Sequence, residues 1–217
     1  MKIYPLPDGS EKYDAVILAD GSYPADGSVA SSILGGAEYV VCCDGAADQY
    51  VLRGGMPAAI VGDCDSLSTG TVKRYRDRMH PSADQETNDL TKAFRFCFGQ
   101  GKKNIAFLGA TGKREDHTIA NVSLLANYTE KGEVVMITDY GVFDAIHRDA
   151  SFESFRGQQV SIFTLGTDIP VGVEGLLYTP PADGLPGWWR GSLNETSGNL
   201  FTIFTPGPAI IFRNFQK

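Results

Sequence analysis

The sequence predicts an α/β protein whose N-terminal and C-terminal parts are built differently. From Tyr13 to about Asp139, short apolar runs alternate with longer amphipathic segments. After about residue 140, glycine and proline separate short strand-like stretches, and no helix of ten residues is predicted. With 217 residues, the chain is long enough for one large domain or two small ones. We therefore expect a parallel sheet with helices first and a small antiparallel β domain second.

Five apolar runs in the first part predict buried strands. Each run is short, rich in valine and isoleucine, and lacks polar alternation, which is typical of strands covered on both faces. They lie at residues 14–19, 39–44, 58–63, 104–109 and 133–139.

Four segments between these runs predict helices, at residues 46–54, 71–79, 89–98 and 117–131. In the last segment, Ile119, Val122, Leu125 and Ala126 recur at helical spacing on one face. Strands that alternate with helices indicate a parallel sheet with helices on both sides.

The second part predicts five strands, at residues 142–147, 159–165, 173–178, 199–205 and 209–215. Their turn spacing is typical of a small antiparallel sandwich or barrel. The change of pattern near residues 139–141 predicts domains at 1–139 and 140–217.

Composition excludes several classes of protein. The formal net charge is −7 and the acidic residues are spread along the chain, which argues against a nucleic-acid partner. No apolar run approaches the ~18 residues of a membrane span, and the first residues lack a signal-peptide core. Four cysteines without C-x-x-C spacing fit a reducing compartment. We expect a cytoplasmic protein with neither membrane nor nucleic acid as a partner.

Acidic residues and glycines follow the predicted strands, where parallel α/β sheets bind ligands. Asp20 follows the first strand, Asp44 the second, and Asp63 and Asp65 the third. The segment ADQETND (83–89) precedes a helix, and GATGKREDH (109–117) includes the end of the fourth strand. Each acid taken singly is also compatible with a turn or helix cap, including Asp116 before His117.

Together these residues indicate phosphoryl transfer. Asp63, Asp65 and Asp89 offer hard oxygen ligands suited to Mg²⁺. Lys113 and Arg114, in a loop with glycines, offer cations for phosphate. Metal ligands beside phosphate-binding cations are the groups that phosphoryl transfer requires.

Other interpretations stay open at this point. D-x-D after a strand also occurs in haloacid-dehalogenase phosphatases and in glycosyltransferases that bind a nucleotide-sugar metal. The Walker pattern G-x-x-x-x-G-K-[ST] is absent, which argues against a P-loop kinase. His117 is either a base or a structural residue, and Trp188 and Trp189 are either ligand-stacking or core residues.

Four segments in order resemble the thiamine pyrophosphokinase family: DGA (44–46), GDCDS (62–66), DQETNDLTKAF (84–94) and GATGKREDH (109–117). SLNETSGN (192–199) resembles the family's C-terminal turn. The resemblance implies a Rossmann-like α/β domain, an antiparallel β-sandwich domain and a homodimer. It also implies Mg²⁺-dependent transfer of the pyrophosphoryl group of ATP to thiamine.

The resemblance assigns roles to particular residues. It implies metal binding by Asp63, Asp65 and Asp89, and catalytic roles also for Asp44, Arg114 and Asp116. The expected substrate-binding residues are Asp20, Gln85, Asn88, Thr111, Gly112, Ser192, Asn194 and Thr196. Two departures are Glu86 and Asn88, where some relatives have Asp and Thr. Thr196 and Ser197 stand where some relatives carry an aromatic residue that stacks on thiamine.

Overall fold

A computed structural model describes residues 1–166, 168–181 and 183–216. Within these ranges the chain forms a mixed α/β structure, which confirms the predicted class. The helices are α1 Val29–Gly35, α2 Ala46–Leu52, α3 Thr69–Tyr75, α4 Asp89–Gly99 and α5 Glu115–Thr129. The strands are β1 Lys2–Tyr4, β2 Ala15–Leu18, β3 Val40–Cys43, β4 Ala59–Gly62, β5 Met79–Pro81, β6 Asn104–Leu108, β7 Glu133–Ile137, β8 Gly141–Ile146, β9 Ala150–Glu153, β10 Gln159–Thr164, β11 Gly172–Glu174, β12 Asn194–Glu195, β13 Leu200–Phe204 and β14 Ala209–Asn214.

The chain divides into two compact units. We call residues 9–122 and 131–139 the parallel-sheet unit. Residues 1–8 and 123–130, with the described residues from Tyr140 onwards, form the antiparallel unit. Among the described residues, no helix combines the length and the apolar character that crossing a membrane requires.

The parallel-sheet unit contains the strand order β7-β6-β2-β3-β4-β5, with parallel pairing throughout. Every residue of β2, β3 and β4 is buried. Strands without polar alternation are thus covered on both faces, as the sequence predicts.

The strand order brings two acidic turns together. Strand β3 pairs with β4, so their carboxyl ends lie side by side at one edge of the sheet. Asp44 follows β3 and Asp63 follows β4. A Cβ at Gly62 would lie 2.9 Å from the Cβ of Asp44, so glycine permits this close approach.

Several predicted elements differ from the structure. Residues 71–79 are not one helix: α3 ends at Tyr75, a 3₁₀ turn follows, and Met79–Pro81 adds a strand beside β4. Helix α5 begins at Glu115, so Asp116 lies in its first turn and does not cap a helix that starts at His117. Ile119 is 57% exposed and does not share the buried face of Val122 and Leu125.

The antiparallel unit contains two four-stranded sets, ordered β12-β10-β14-β8 and β1-β9-β13-β11. Its pairs are antiparallel except β1 with β9. Phe152 and Phe201 stack with ring centroids 5.0 Å apart, within a buried cluster that also contains Ile162 and Ile211. Residues of both sets therefore share one apolar core.

A buried arginine attaches the first residues of the chain to this unit. The Arg213 guanidinium donates to the carbonyls of Tyr4, Pro5 and Glu153 at 3.3, 2.9 and 2.7 Å. It also donates to Asp144 at 2.7 Å. Charges this deeply buried are tolerated only when they are paired and hydrogen-bonded. The carbonyls of Tyr4 and Pro5 accept two of these hydrogen bonds, so the N-terminal segment helps to stabilise the buried Arg213–Asp144 pair.

Candidate active site

A pocket of about 520 Å³ lies in the parallel-sheet unit at the carboxyl ends of its strands. It brings together most of the site residues predicted for this unit. Those lining it are Asp20, Asp44, Asp63, Gln85, Asn88, Asp89, Gly112 and Arg114. This convergence occurs where ligands bind in parallel α/β sheets.

Three carboxylates form a cluster at this edge. Asp44, Asp63 and Asp65 each offer one oxygen, and these oxygens lie within 4.8 Å of one another. Asp63 and Asp65 are exposed, whereas Asp44 is only 7% exposed. Asp89, the third metal ligand expected from the sequence, is outside this cluster of described residues but lines the same pocket.

Asp44 occupies an environment that is unfavourable for a carboxylate. Its Oδ1 is buried and has no hydrogen-bond partner among the described residues. Burial raises the pKa of Asp44, and the negative charges of Asp63, Asp89 and Asp65 add to this, against a lowering contribution from Ser66. A buried carboxylate oxygen without a donor is costly, and a bound cation would relieve that cost.

The turn after β4 fixes the other two members of the cluster. The backbone N–H of Asp65 donates to Asp63 Oδ1 at 3.3 Å, and Ser66 Oγ donates to Asp65 Oδ1 at 3.0 Å. Cys64 between them adopts a left-handed backbone with φ of 64°. The two aspartates are therefore turn residues and cluster members at once, so the alternatives posed by the sequence are not exclusive.

Asp89 begins α4 and is held by a lysine that the sequence analysis did not single out. Lys92 Nζ lies 2.9 Å from Asp89 Oδ1, and Lys92 is only 9% exposed. Burial lowers the pKa of Lys92, but its hydrogen bond to Asp89 and the negative charges of Asp89 and Asp63 raise it, and the net shift is upward. The sequence signal for this ion pair is the three-residue spacing of Asp89 and Lys92 in a predicted helix.

The segment before α4 is organised by its own side chains. Asp84 accepts hydrogen bonds from the Glu86 N–H at 2.9 Å and from Thr87 Oγ1 at 2.7 Å. Asn88 caps α4 by accepting from the Thr91 N–H at 2.9 Å, and its amide donates to Asn121 Oδ1 at 2.9 Å. The Asn88 side chain therefore already has protein partners at both of its polar atoms.

The loops that follow β2 and β6 pack tightly against each other at the pocket. The Gly21 N–H donates to the Gly109 carbonyl at 2.7 Å, and the Ser22 N–H donates to the Thr111 carbonyl at 2.8 Å. A Cβ at Gly112, whose φ is 79°, would overlap the Ser22 side chain. Lys113 Nζ pairs with Asp20 Oδ1 at 2.8 Å. Asp20 thus anchors the 109–114 loop as well as lining the pocket.

Arg114, at the end of this loop, forms an ion pair with Asp116 in the first turn of α5. Arg114 Nε donates to Asp116 Oδ1 at 3.0 Å, and both side chains are largely exposed. The hydrogen bond from Arg114 and then that from the His117 N–H lower the pKa of Asp116 to about 2. Asp116 is therefore placed to orient the guanidinium of Arg114, a residue that lines the pocket.

The thiamin pyrophosphokinase catalytic-domain profile matches residues 30–137, and the profile of the same enzyme's substrate-binding domain matches residues 141–212. The chain belongs to the thiamin pyrophosphokinase family. This confirms the resemblance drawn from the five sequence segments.

Individual relatives are distant. Thiamin pyrophosphokinase 1 of Caenorhabditis elegans is 28% identical over 132 residues, and the match spans 57% of this chain and 54% of the relative. The match therefore covers about half the length of that curated relative.

Two solved thiamin pyrophosphokinase structures share the fold. The one from Candida albicans has a TM-score of 0.80 at 16% identity and covers 99% of this chain and 93% of that chain. The one from Bacillus subtilis has a TM-score of 0.74 at 19% identity and covers 95% and 100%.

The predicted site residues Ser192, Asn194 and Thr196 lie in the antiparallel unit, within the segment 141–212 that the substrate-binding profile matches. Ser192 and Asn194 line a second pocket of about 440 Å³. The Asn194 side chain accepts from the Tyr178 N–H at 3.1 Å and donates to the Tyr178 carbonyl at 2.7 Å. Thr196 is 1% exposed and donates to the Phe155 carbonyl. Asn194 and Thr196 thus hold neighbouring backbone in this structure.

The two tryptophans of the same unit differ in exposure. Trp188 Nε1 donates to the Thr164 carbonyl at 3.0 Å, and its ring packs 5.6 Å from that of Phe163. Trp189 is 72% exposed. The Arg190 guanidinium lies over the Trp189 ring, 5.6 Å from its centroid.

Proposed function

We propose that this chain transfers the pyrophosphoryl group of ATP to the hydroxyl of thiamine, giving thiamine diphosphate and AMP. The observation that carries the proposal is a pocket lined by Asp44, Asp63, Lys92 and Arg114, with Asp65 completing the carboxylate cluster beside it. Family membership along both parts of the chain supports the identity of the substrates.

The donor set fits Mg²⁺. Three carboxylates with hard oxygens lie together, and the buried Oδ1 of Asp44 has no hydrogen-bond donor among the described residues. We propose Asp44, Asp63 and Asp65 as ligands; Asp89, expected from the sequence, lines the same pocket and would join them. When bound, the cation would neutralise charge on the phosphates.

The chain's own residues would position the reacting groups. Arg114, oriented by Asp116, would hold the transferred phosphates. Asp44 or Asp89 would accept the proton of the thiamine hydroxyl. As the hydroxyl oxygen bonds to the β-phosphorus of ATP, the bond between that phosphorus and the oxygen of the α-phosphate would break, and AMP would leave. In-line transfer of this kind depends on positioning and charge more than on a protein nucleophile.

We also propose the finer organisation expected from the sequence. The first domain, 1–139, would be Rossmann-like and would hold ATP near Asp20, Gln85, Asn88, Thr111 and Gly112. The second, 140–217, would be an antiparallel β-sandwich that contributes Ser192, Asn194 and Thr196 towards thiamine. Profile matches at 30–137 and 141–212 support this division. A cytoplasmic homodimer with shared sites completes the proposal.

Labelled ATP tests the reaction. With thiamine and Mg²⁺, label at the β- or γ-phosphorus is expected in thiamine diphosphate, and label at the α-phosphorus is expected in AMP. Transfer of γ-label alone would indicate an ordinary kinase. Absence of thiamine-dependent label transfer would contradict both.

Two further experiments separate other classes. A phosphatase of the dehalogenase type would trap beryllium fluoride on Asp63 and release phosphate without an acceptor. A protein that only binds these ligands would show ligand-dependent melting shifts without product. For the homodimer, sedimentation that finds a fully active monomer would contradict a site shared between subunits.

A further inference from the structure

Two charged side chains that line the pocket are buried. Asp44 is 7% exposed and Lys92 is 9% exposed. Lysine is seldom buried to this degree unless it has a partner, because its ammonium loses hydration. The sequence assigns no role to Lys92, so the burial of its charge at the pocket needs a physical explanation.

Asp89 explains only part of this burial. The Lys92 ammonium contacts Asp89 Oδ1 at 2.9 Å, which occupies one of its three N–H donors. A lysine and an aspartate three residues apart on a helix can pair equally well on the surface. Pairing with Asp89 therefore does not account for a lysine on the pocket wall.

The other two cations that line the pocket are more exposed and already paired. The Lys113 side chain is 46% exposed and contacts Asp20, and the Arg114 side chain is 67% exposed and contacts Asp116. The Lys92 side chain is 8% exposed. A cation shielded from water attracts an anion more strongly than an exposed one does.

We propose that Lys92 is a phosphate-binding residue of this pocket. Its ammonium donates to a non-bridging oxygen of a bound polyphosphate, and Asp89 holds the ammonium in place. The identity of that polyphosphate as ATP rests on the proposed function. The contact itself rests on the burial of Lys92, its position on the pocket wall and its charge.

Calorimetric titration with an ATP analogue whose α- and β-phosphorus are joined by a methylene group tests this contact, because the analogue cannot react. Lys92→Met keeps the length of the side chain and removes the charge, and Lys92→Arg keeps the charge. Lys73→Met, at an exposed position on α3, is the matched control. We expect Lys92→Met to weaken analogue binding at least ~10-fold, Lys92→Arg to restore most of it, and Lys73→Met to leave it unchanged.

A second variant separates binding from folding. Asp89→Asn combined with Lys92→Met removes both partners and leaves no unpaired charge. We expect this double variant to melt cooperatively without ligand and still bind the analogue at least ~10-fold more weakly than Asp89→Asn alone. Equal binding by the double variant and Asp89→Asn, or wild-type binding by Lys92→Met, would overturn the role of Lys92.

The two proposals fail in different ways. If the wild-type protein makes no thiamine diphosphate but binds the analogue through Lys92, the proposed reaction is wrong and the contact stands. If it makes thiamine diphosphate while Lys92→Met binds the analogue normally, the contact is wrong and the reaction stands.

Discussion

The acid cluster predicts that Asp44→Asn stabilises the protein without metal and weakens its response to Mg²⁺. Asn is a suitable replacement, because Asp44 has a φ of 35° and asparagine tolerates positive φ better than most residues. The substitution removes the charge and keeps the shape of the side chain.

The expected size follows from the spacing of the carboxylates. Each pair of cluster oxygens lies within 4.8 Å. At that distance two unit charges repel by about 0.9 kcal/mol in water and about 3.5 kcal/mol at an effective dielectric constant of 20. Because Asp63 and Asp65 are exposed, the lower figure applies, and losing two repulsions gives about 2 kcal/mol. For a chain of this size, that raises the Tm by about 4–8 °C.

The same substitution should weaken Mg²⁺ binding and so reduce the stability that the bound metal adds. At a Mg²⁺ concentration 100 times its Kd, the wild-type protein gains about 2.7 kcal/mol of stability. A tenfold weaker Kd in Asp44→Asn reduces this gain to about 1.4 kcal/mol at the same concentration.

Thermal melts with and without Mg²⁺ measure both effects, with the exposed Asp77→Asn as control. A lower Tm of Asp44→Asn without metal, or an undiminished Mg²⁺ shift, would refute the reasoning.

Four further predictions concern individual residues. Asp65→Asn should lower turnover by ~100-fold or more while the protein still melts cooperatively by circular dichroism; wild-type turnover would remove Asp65 from the metal site. A Cβ at Gly21 overlaps backbone carbonyls, so Gly21→Ala should cost about 1–3 kcal/mol in urea unfolding, whereas Gly35→Ala, with open space around it, should not destabilise the protein. Asn194→Ala removes the side-chain bonds to Tyr178 and should cost about 1–3 kcal/mol, with an unchanged Mg²⁺ shift of the parallel-sheet unit as its check. Burial raises the pKa of Asp44 in the folded protein, so ionised Asp44 lowers stability at a pH above that raised pKa. Below the ordinary value of 3.8 the carboxyl is protonated in both the folded and the unfolded state, and this cost disappears. The Tm advantage of Asp44→Asn should therefore vanish as the pH falls towards 3.8.

The elements that the sequence predicts best are those whose local pattern has one physical meaning. Strands β2, β3 and β4 are short runs without polar alternation, and all of their residues are buried. Strand β1 has no such signal, since it is three residues long and pairs with β9 almost 150 residues later. The helix predicted at residues 71–79 overlaps strand β5 only at Met79.

In the candidate site, too, the sequence predicts local features better than contacts between residues distant in the chain. Sequence order places Asp63 and Asp65 in one turn, but only the strand order brings Asp44 beside them. Both the acidic residues and the resemblance predict Asp89 as a metal ligand, whereas the burial of its partner Lys92 depends on which face of α4 is buried. The substrate-binding role of Asn88 stays a prediction, and the structure adds that its polar atoms cap α4 and contact Asn121.

The identity of the nucleotide product tests the proposed function most directly. Protein, thiamine and Mg-ATP are incubated together, and AMP, ADP and thiamine diphosphate are quantified over time. Pyrophosphoryl transfer predicts one AMP for each thiamine diphosphate formed. Formation of ADP with thiamine monophosphate, or no thiamine-dependent product, would contradict it.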